Sequence, residues 1–232
     1  MWGTIINTAA VVAGGLLGLC LKKGIPENIS NTIVNGLAIG IGLLGVSMGL
    51  ETNNIIIPFV CIALGAVIGE LIGIEKGIIK AGEKLEAAVS KNKSSTFVQG
   101  FVTATLLYCT GSMAILGSIT DGLTGDITIL ATKALLDGIF SIILTSTLGL
   151  GAIFAALPVF VYQGSITLLA GLLEPILTET VIAEMTSVGG ILIIGIALGQ
   201  LEIKHIALGN LLPAVFLPIP LMYGIQWVQT LF

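Results

Sequence analysis

Arginine is absent from this chain: all nine basic residues are lysine. The planar fork that grips phosphate or carboxylate at two points is therefore missing, which argues against a dedicated phosphate or dicarboxylate binder. Charge of either sign is scarce, at 9% of residues, against about a quarter in a typical soluble domain. No nucleic-acid partner is expected. One histidine, His205, and three isolated cysteines, Cys20, Cys61 and Cys109, make neither a CxxC pair nor a His–Cys cluster, so no metal or redox set is recognisable. Serine triads, Walker loops and dinucleotide fingerprints are missing too. An enzyme is not expected, and no cofactor is implied. Only Met1 and Trp2 precede the first apolar run, with Lys22 and Lys23 following it. That order lacks the basic leader of a cleaved signal, so the first segment is expected to stay in the membrane.

What the chain has instead is apolar length. Hydrophobic residues make up 55% and the mean hydropathy is +1.09. Runs of roughly 20 apolar residues suffice to cross a hydrocarbon core. Eight spans are predicted, near 3–21, 31–50, 55–74, 97–112, 127–147, 149–171, 181–200 and 205–226. The fourth is short, and the division at Leu148–Gly149 is the least marked. Lys22, Lys23, Lys76, Lys80, Lys84, Lys91, Lys93 and Lys204 all follow odd-numbered spans, whereas Glu51, Asp121, Asp126, Glu174 and Glu179 occupy the opposite loops. The positive-inside rule then makes the lysine side cytoplasmic, with both termini outside. Trp2 and Trp227 fall at the outer boundary, where indole rings prefer the interface. Residues 73–93 are too charged to cross. Their helical spacing of Ile74, Ile78, Ile79, Leu85 and Val89 suits either a helix on the inner membrane surface or a solvated connector.

The chain also echoes itself. INTAAVVAGGLLG (6–18) resembles YQGSITLLAGLLE (162–174), aligning Asn7 with Gln163. NGLAIGIGLLGVSMG (35–49) resembles GGILIIGIALGQLEI (189–203), and Pro58 answers Pro213. Because the copies start five crossings apart, they are inverted relative to each other, an architecture many secondary transporters share. The expected fold class is an all-α integral membrane protein of about eight transmembrane helices, with two inverted three-helix repeats and a re-entrant loop. A single membrane domain, 1–232, is expected: repeat one over 3–74, a cytoplasmic amphipathic connector over 75–93, central helices over 97–147, and repeat two over 149–226. GxxxG-like spacings at Gly14–Gly18, Gly36–Gly40, Gly65–Gly69, Gly69–Gly73 and Gly195–Gly199 fit close helix packing or a homodimer.

The polar residues concentrate in two places. CTGSMAILGSITDGLTGD (109–126) interrupts the apolar runs with glycine, serine and aspartate. It reads either as an outer loop ending in a helix cap at Asp126 or as a re-entrant element lining a vestibule. In the next span Lys133, Asp137 and Ser141 share one helical face, with Asp126 seven residues before Lys133. At about 1.5 Å per residue, Lys133 lies about 10 Å and Asp137 about 16 Å from the outer end. Charges at such depth cost on the order of 3 kcal/mol each. The pair either lines a polar pathway or locks a helix contact. Ser112, Ser118 and Asp121 in the 111–126 stretch, with Asn7 and Gln163 in spans one and six, complete the candidate pathway.

CTGSMAILGSITDGLTGD followed by Lys133 and Asp137, together with YQGSITLLAG and GNLLPA (209–214), resembles the bacterial membrane proteins of domain of unknown function 554, the YdfK/YqgA type. The resemblance covers essentially the whole chain. One departure is Ser112, where proline is expected in many relatives. It implies a bacterial inner-membrane location and no established activity. Two functions are therefore carried forward. One is a transporter or channel for a small polar solute or ion. The other is a scaffold or sensor in which Lys133 and Asp137 form a structural pair. The partners expected are the lipid bilayer and an unidentified small solute or ion.

Overall fold

A computed structural model describes residues 1–22, 27–89, 96–109, 111–204 and 206–231. Lys23, Lys91, Lys93, His205 and the Trp227 side chain lie outside the described residues. Among those described there is no strand. The helices are α1 (Trp2–Lys22), α2 (Glu27–Gly49), α3 (Ile56–Ile72), α4 (Ile74–Val89), α5 (Thr96–Cys109), α6 (Ser112–Thr124) and α7 (Thr128–Leu148). They continue with α8 (Gly151–Phe154), α9 (Ala156–Leu168), α10 (Ala170–Leu173), α11 (Glu179–Gln200), α12 (Leu208–Leu211) and α13 (Pro218–Leu231), with a 3-10 turn at Leu212–Val215. Five stretches are long and apolar enough to cross a membrane: Trp2–Leu21, Thr128–Leu148, Gly151–Leu168, Glu179–Gln200 and Leu208–Ile225. Two bent pairs, α3 with the start of α4 and α5 with α6, bring the number to seven if each is one span.

Sequence order and spatial grouping differ. One compact unit comprises Met1–Leu37 and Ile79–Leu173, the other Ala38–Ile78 and Glu174–Phe232. In the first unit α1 lies parallel to α7. Gly3 faces Leu130, Gly14 faces Gly138 and Gly18 faces Thr145. A methyl group on Gly14 or Gly18 would collide with the backbone carbonyl of Gly138 or Ile142, so glycine sets how closely these two helices approach. Against α8 and α9 the same helix runs antiparallel, with Thr4 beside Thr167, Asn7 beside Gln163 and Gly15 beside Ile153. The chain leaves α7 at Gly149, whose φ of 85° suits glycine.

The second unit repeats the antiparallel pairing. In α2, Gly42 meets Ala197 and Gly45 meets Ile194 of α11, while Ser187 donates to the Gly49 carbonyl. Gly65 and Gly69 of α3 press against Ala214 and Asn210. By contrast, Gly36, Gly40 and Gly73 have open space where a side chain would stand.

Two elements correct the sequence reading. Residues 111–126 are not a loop for most of their length: α6 occupies Ser112–Thr124. Glycine makes the turns only at its ends, Gly111 with φ 114° and Gly125 with φ 74°. Gly117 and Gly122 sit inside the helix and serve packing, with Gly122 against Thr167 and Ala170 of its neighbours. The last apolar segment is likewise broken, at Pro213 and Pro218, because proline removes a backbone donor from the helix ladder.

Candidate functional site

A polar line runs along one face of α1. Thr4, Asn7 and Val11 recur at helical spacing, so they stack on one side, and each meets a polar group. The backbone N–H of Gly3 donates to Asp121 Oδ2 at 3.1 Å, and the Met1 amine lies 2.8 Å from Asp121 Oδ1. Next in, Thr4 and Thr167 share a hydrogen bond of 3.4 Å. One turn deeper, Asn7 Nδ2 donates both to Asp137 Oδ2 at 3.0 Å and to Gln163 Oε1 at 3.2 Å. Last, Ser141 Oγ donates to the Val11 carbonyl at 2.6 Å.

The ion pair forms the centre of this line. Lys133 Nζ donates to Asp137 Oδ1 at 2.8 Å and Oδ2 at 2.6 Å. Both residues are buried, at 6% and 4% exposure. The spacing of four puts ammonium and carboxylate on the same side of α7, and their charges cancel. That side is the enclosed one: Leu130, Ala134, Leu144 and Thr145 are buried with them, whereas Leu135 and Ile139 are exposed apolar positions.

Around the pair, several buried polar atoms have no protein partner. Among them are Asn7 Oδ1 and Gln163 Nε2; Thr145 Oγ1 is another such atom, about two turns further along α7. Asn7, Gln163, Tyr108 and Thr145 are all fully buried. Tyr108 neighbours Asp137 and Ser141, and Cys109 lies within electrostatic reach of both Lys133 and Asp137. α5 therefore ends beside the ion pair, and the chain then turns through Gly111 into α6. α6 packs where Gly3, Leu130 and Thr167 come together.

The nine residues singled out from sequence are thus divided. Asn7, Lys133, Asp137, Ser141 and Gln163 form the inner part of the line, and Asp121 joins its end. Ser118 is buried, but its hydroxyl is satisfied by the Ala114 carbonyl at 2.7 Å within α6. Ser112 begins α6 and has no hydrogen bond to the pair among the described residues. Asp126 is exposed, off the Lys133–Asp137 face, and accepts from the Thr128 hydroxyl at 2.6 Å and the Thr128 N–H at 2.9 Å. It makes a local turn leading into α7, one residue ahead of the N-cap position, which Ile127 occupies, rather than the cap expected of it.

Those two Thr128 bonds, the hydroxyl first and the backbone second, hold the Asp126 carboxyl below the ordinary aspartate value. A depressed carboxylate stabilises its contact fully above the unfolded value and loses that contribution as pH falls through the folded one. Protection of the Thr128 amide, measured relative to its intrinsic exchange rate at each pH, should therefore fall on acidification in the wild type. In Asp126→Ala that protection should be low throughout, and a pH-independent wild-type protection would refute the assignment.

Thr4, Thr167 and Tyr108 were missed from sequence. Hydroxyls are common in membrane helices, and only the fold shows which ones face each other. Glu184 was missed as well, although an acid inside an apolar span is a readable signal. In the second unit it is fully buried, accepting from the Thr52 hydroxyl at 2.6 Å and the Asn53 N–H at 2.9 Å. At the opposite end of α3, Glu75 accepts from the Gly209 N–H at 2.6 Å. The Asn210 side chain accepts from the Glu75 N–H at 2.8 Å and donates to Glu70. These contacts tie the Gly209–Asn210 segment to the end of α3 and the start of α4.

Comparison with known proteins agrees with the membrane architecture. The chain is 38% identical over 222 residues to "Uncharacterized membrane protein YdfK" of Bacillus subtilis (strain 168), covering 94% of each. It is 34% identical over 226 residues to "Uncharacterized protein YqgA" of Escherichia coli (strain K12), covering 94% of this chain and 95% of that one. No solved structure matches. Residues 2–223 match the family described as "Protein of unknown function (DUF554)", and with relatives this similar over nearly their full length, the chain belongs to that membrane-protein family.

Proposed function

We propose that the protein is a transporter or channel of the bacterial cytoplasmic membrane, moving a small polar solute or ion along the α1–α7 polar line. One observation carries this reading: fully buried hydrogen-bonding atoms on Asn7 and Gln163 lie beside the ion pair without protein partners. Leaving such atoms unsatisfied costs about 1–3 kcal/mol each, a cost that water or a passing solute removes.

The reading also includes about eight crossings, both termini outside and two inverted repeats. It is supported by the antiparallel pairing of each helix with its repeat mate: α1 with α9, α2 with α11, and α3 with the α12 segment. Asn7 and Gln163, equivalent in the repeat, hydrogen-bond to each other, as residues near a pseudo-two-fold axis do. In this scheme α6 is a re-entrant element and α4 lies on the cytoplasmic surface.

A second reading rests on the pair itself. Lys133 and Asp137 satisfy each other without any guest, as a structural lock in a scaffold or sensor requires. Cysteine accessibility separates the two. In a background without Cys20, Cys61 and Cys109, single cysteines at 133, 137 and 141 should label with a small polar thiol reagent in intact membranes. A cysteine at the lipid-facing Leu135 should not. Absence of labelling at all three inner positions would sink the pathway and favour the scaffold.

A further inference from the structure

The ion pair dictates which way the two central amides face, and their orientation selects among solutes. Asp137 is a pure acceptor, so Asn7 must turn its NH2 toward it. The reverse orientation would set the amide oxygen against the carboxylate. The same NH2 group reaches Gln163 at 3.2 Å, so Gln163 must offer its carbonyl and turn its own NH2 away. What remains open is one acceptor, Asn7 Oδ1, and one donor, Gln163 Nε2, both completely buried and on amides that touch each other. Formal charge at the centre sums to zero, because Lys133 and Asp137 neutralise one another at 2.6 Å.

Resting on the pathway reading above, we infer that the solute handled here is small, neutral and able both to donate and to accept hydrogen bonds, as water, urea and simple amides do. A bare cation would be welcomed by Asn7 Oδ1 and opposed by the Gln163 N–H groups. A bare anion meets the reverse conflict. Neither finds a compensating net charge, and the desolvation cost of an ion in such a site is large. A molecule carrying a donor beside an acceptor satisfies both open amide atoms at once.

The test uses the purified full chain in liposomes. Osmotic shrinking followed by light scattering reports water, urea and acetamide entry, while a potential-sensitive dye reports Na⁺, K⁺ and Cl⁻ flux in the same vesicles. The expected result is faster permeation of at least one neutral probe than in protein-free liposomes, without ion flux. Gln163→Glu keeps the oxygen that Asn7 contacts while replacing the open donor. It should slow neutral permeation about tenfold, the loss of one well-made hydrogen bond. Gln163→Met, which removes both polar atoms, should do at least the same, and gel filtration of each variant checks that it still folds. Ion flux without neutral permeation would overturn the neutral-solute inference while leaving the pathway standing. Absence of both fluxes would overturn the inference and the pathway together, and neutral permeation unchanged in both variants would overturn the role given to the amide pair.

Discussion

Asp137→Ala should be among the most damaging single substitutions in this chain, lowering stability by about 3–5 kcal/mol, the range seen when one partner of a buried ion pair is removed. Lys133 would keep a buried ammonium with no anion, and Asn7 would lose its acceptor at 3.0 Å. Asp137→Asn should be intermediate, since one acceptor oxygen survives. The informative comparison is the double change Lys133→Met with Asp137→Leu, which removes both charges and keeps most of the volume. Thermal melts in detergent should show the double variant well above Asp137→Ala, because an apolar pair in place of a buried salt bridge is often neutral or better. Equal loss in single and double variants would mean that the pair is not isolated from water. Solute permeation then gives a separate reading: if the pathway exists, the double variant should be folded and inactive.

Lys133–Asp137 was legible without coordinates because two charges at a spacing of four inside an apolar run leave few alternatives. Apolar length likewise announced most of the helices. What could not be read was which helices meet. Parallel packing of α1 on α7 joins residues far apart in the chain, and glycine patterns alone do not identify the partner. The same pattern at Gly36 and Gly40 meets nothing among the described residues. α6 was hidden for another reason. Its serines, threonines and glycines favour turns locally, but Ser118, Thr120 and Thr124 return their hydroxyls to carbonyls one turn back, which lets them remain in a helix. Asp121, a pathway candidate in a stretch that reads equally as loop or re-entrant element, lies in α6 with its carboxylate accepting from the Gly3 backbone.

Gly14→Ala combined with Gly18→Ala should separate α1 from α7 and is the second large effect expected. The added methyl groups would meet backbone carbonyls rather than movable side chains, so neither can be accommodated by a change of rotamer. Overpacking usually costs about 1–3 kcal/mol per site, and two such sites one turn apart on the same seam should sum toward the upper end. Gly138→Ala on the facing helix supplies an internal control. There the new methyl would sit 3.4 Å from the Ala10 carbonyl and 3.5 Å from its side chain, ordinary contact distances. That variant, like Gly40→Ala with open space around it, should melt at the wild-type temperature or slightly above it, given alanine's higher helix propensity. If all of these variants melt alike, the close approach of α1 and α7 is not what holds the first unit together.

The distance in sequence between Asn7 and its partners has a consequence for biogenesis. Asp137 and Gln163 lie 130 and 156 residues downstream. When α1 leaves the ribosome, the groups that will satisfy Asn7 have not been synthesised, and α7 must be inserted before the first of them, Asp137, arrives. During that interval the nascent helix has a polar side chain but no protein partner for it, and its glycine seam has nothing to close against. Assembly of the first unit therefore waits for the second half of the chain, and fragments truncated before α7 should be retained by the insertion machinery or degraded rather than released into the bilayer.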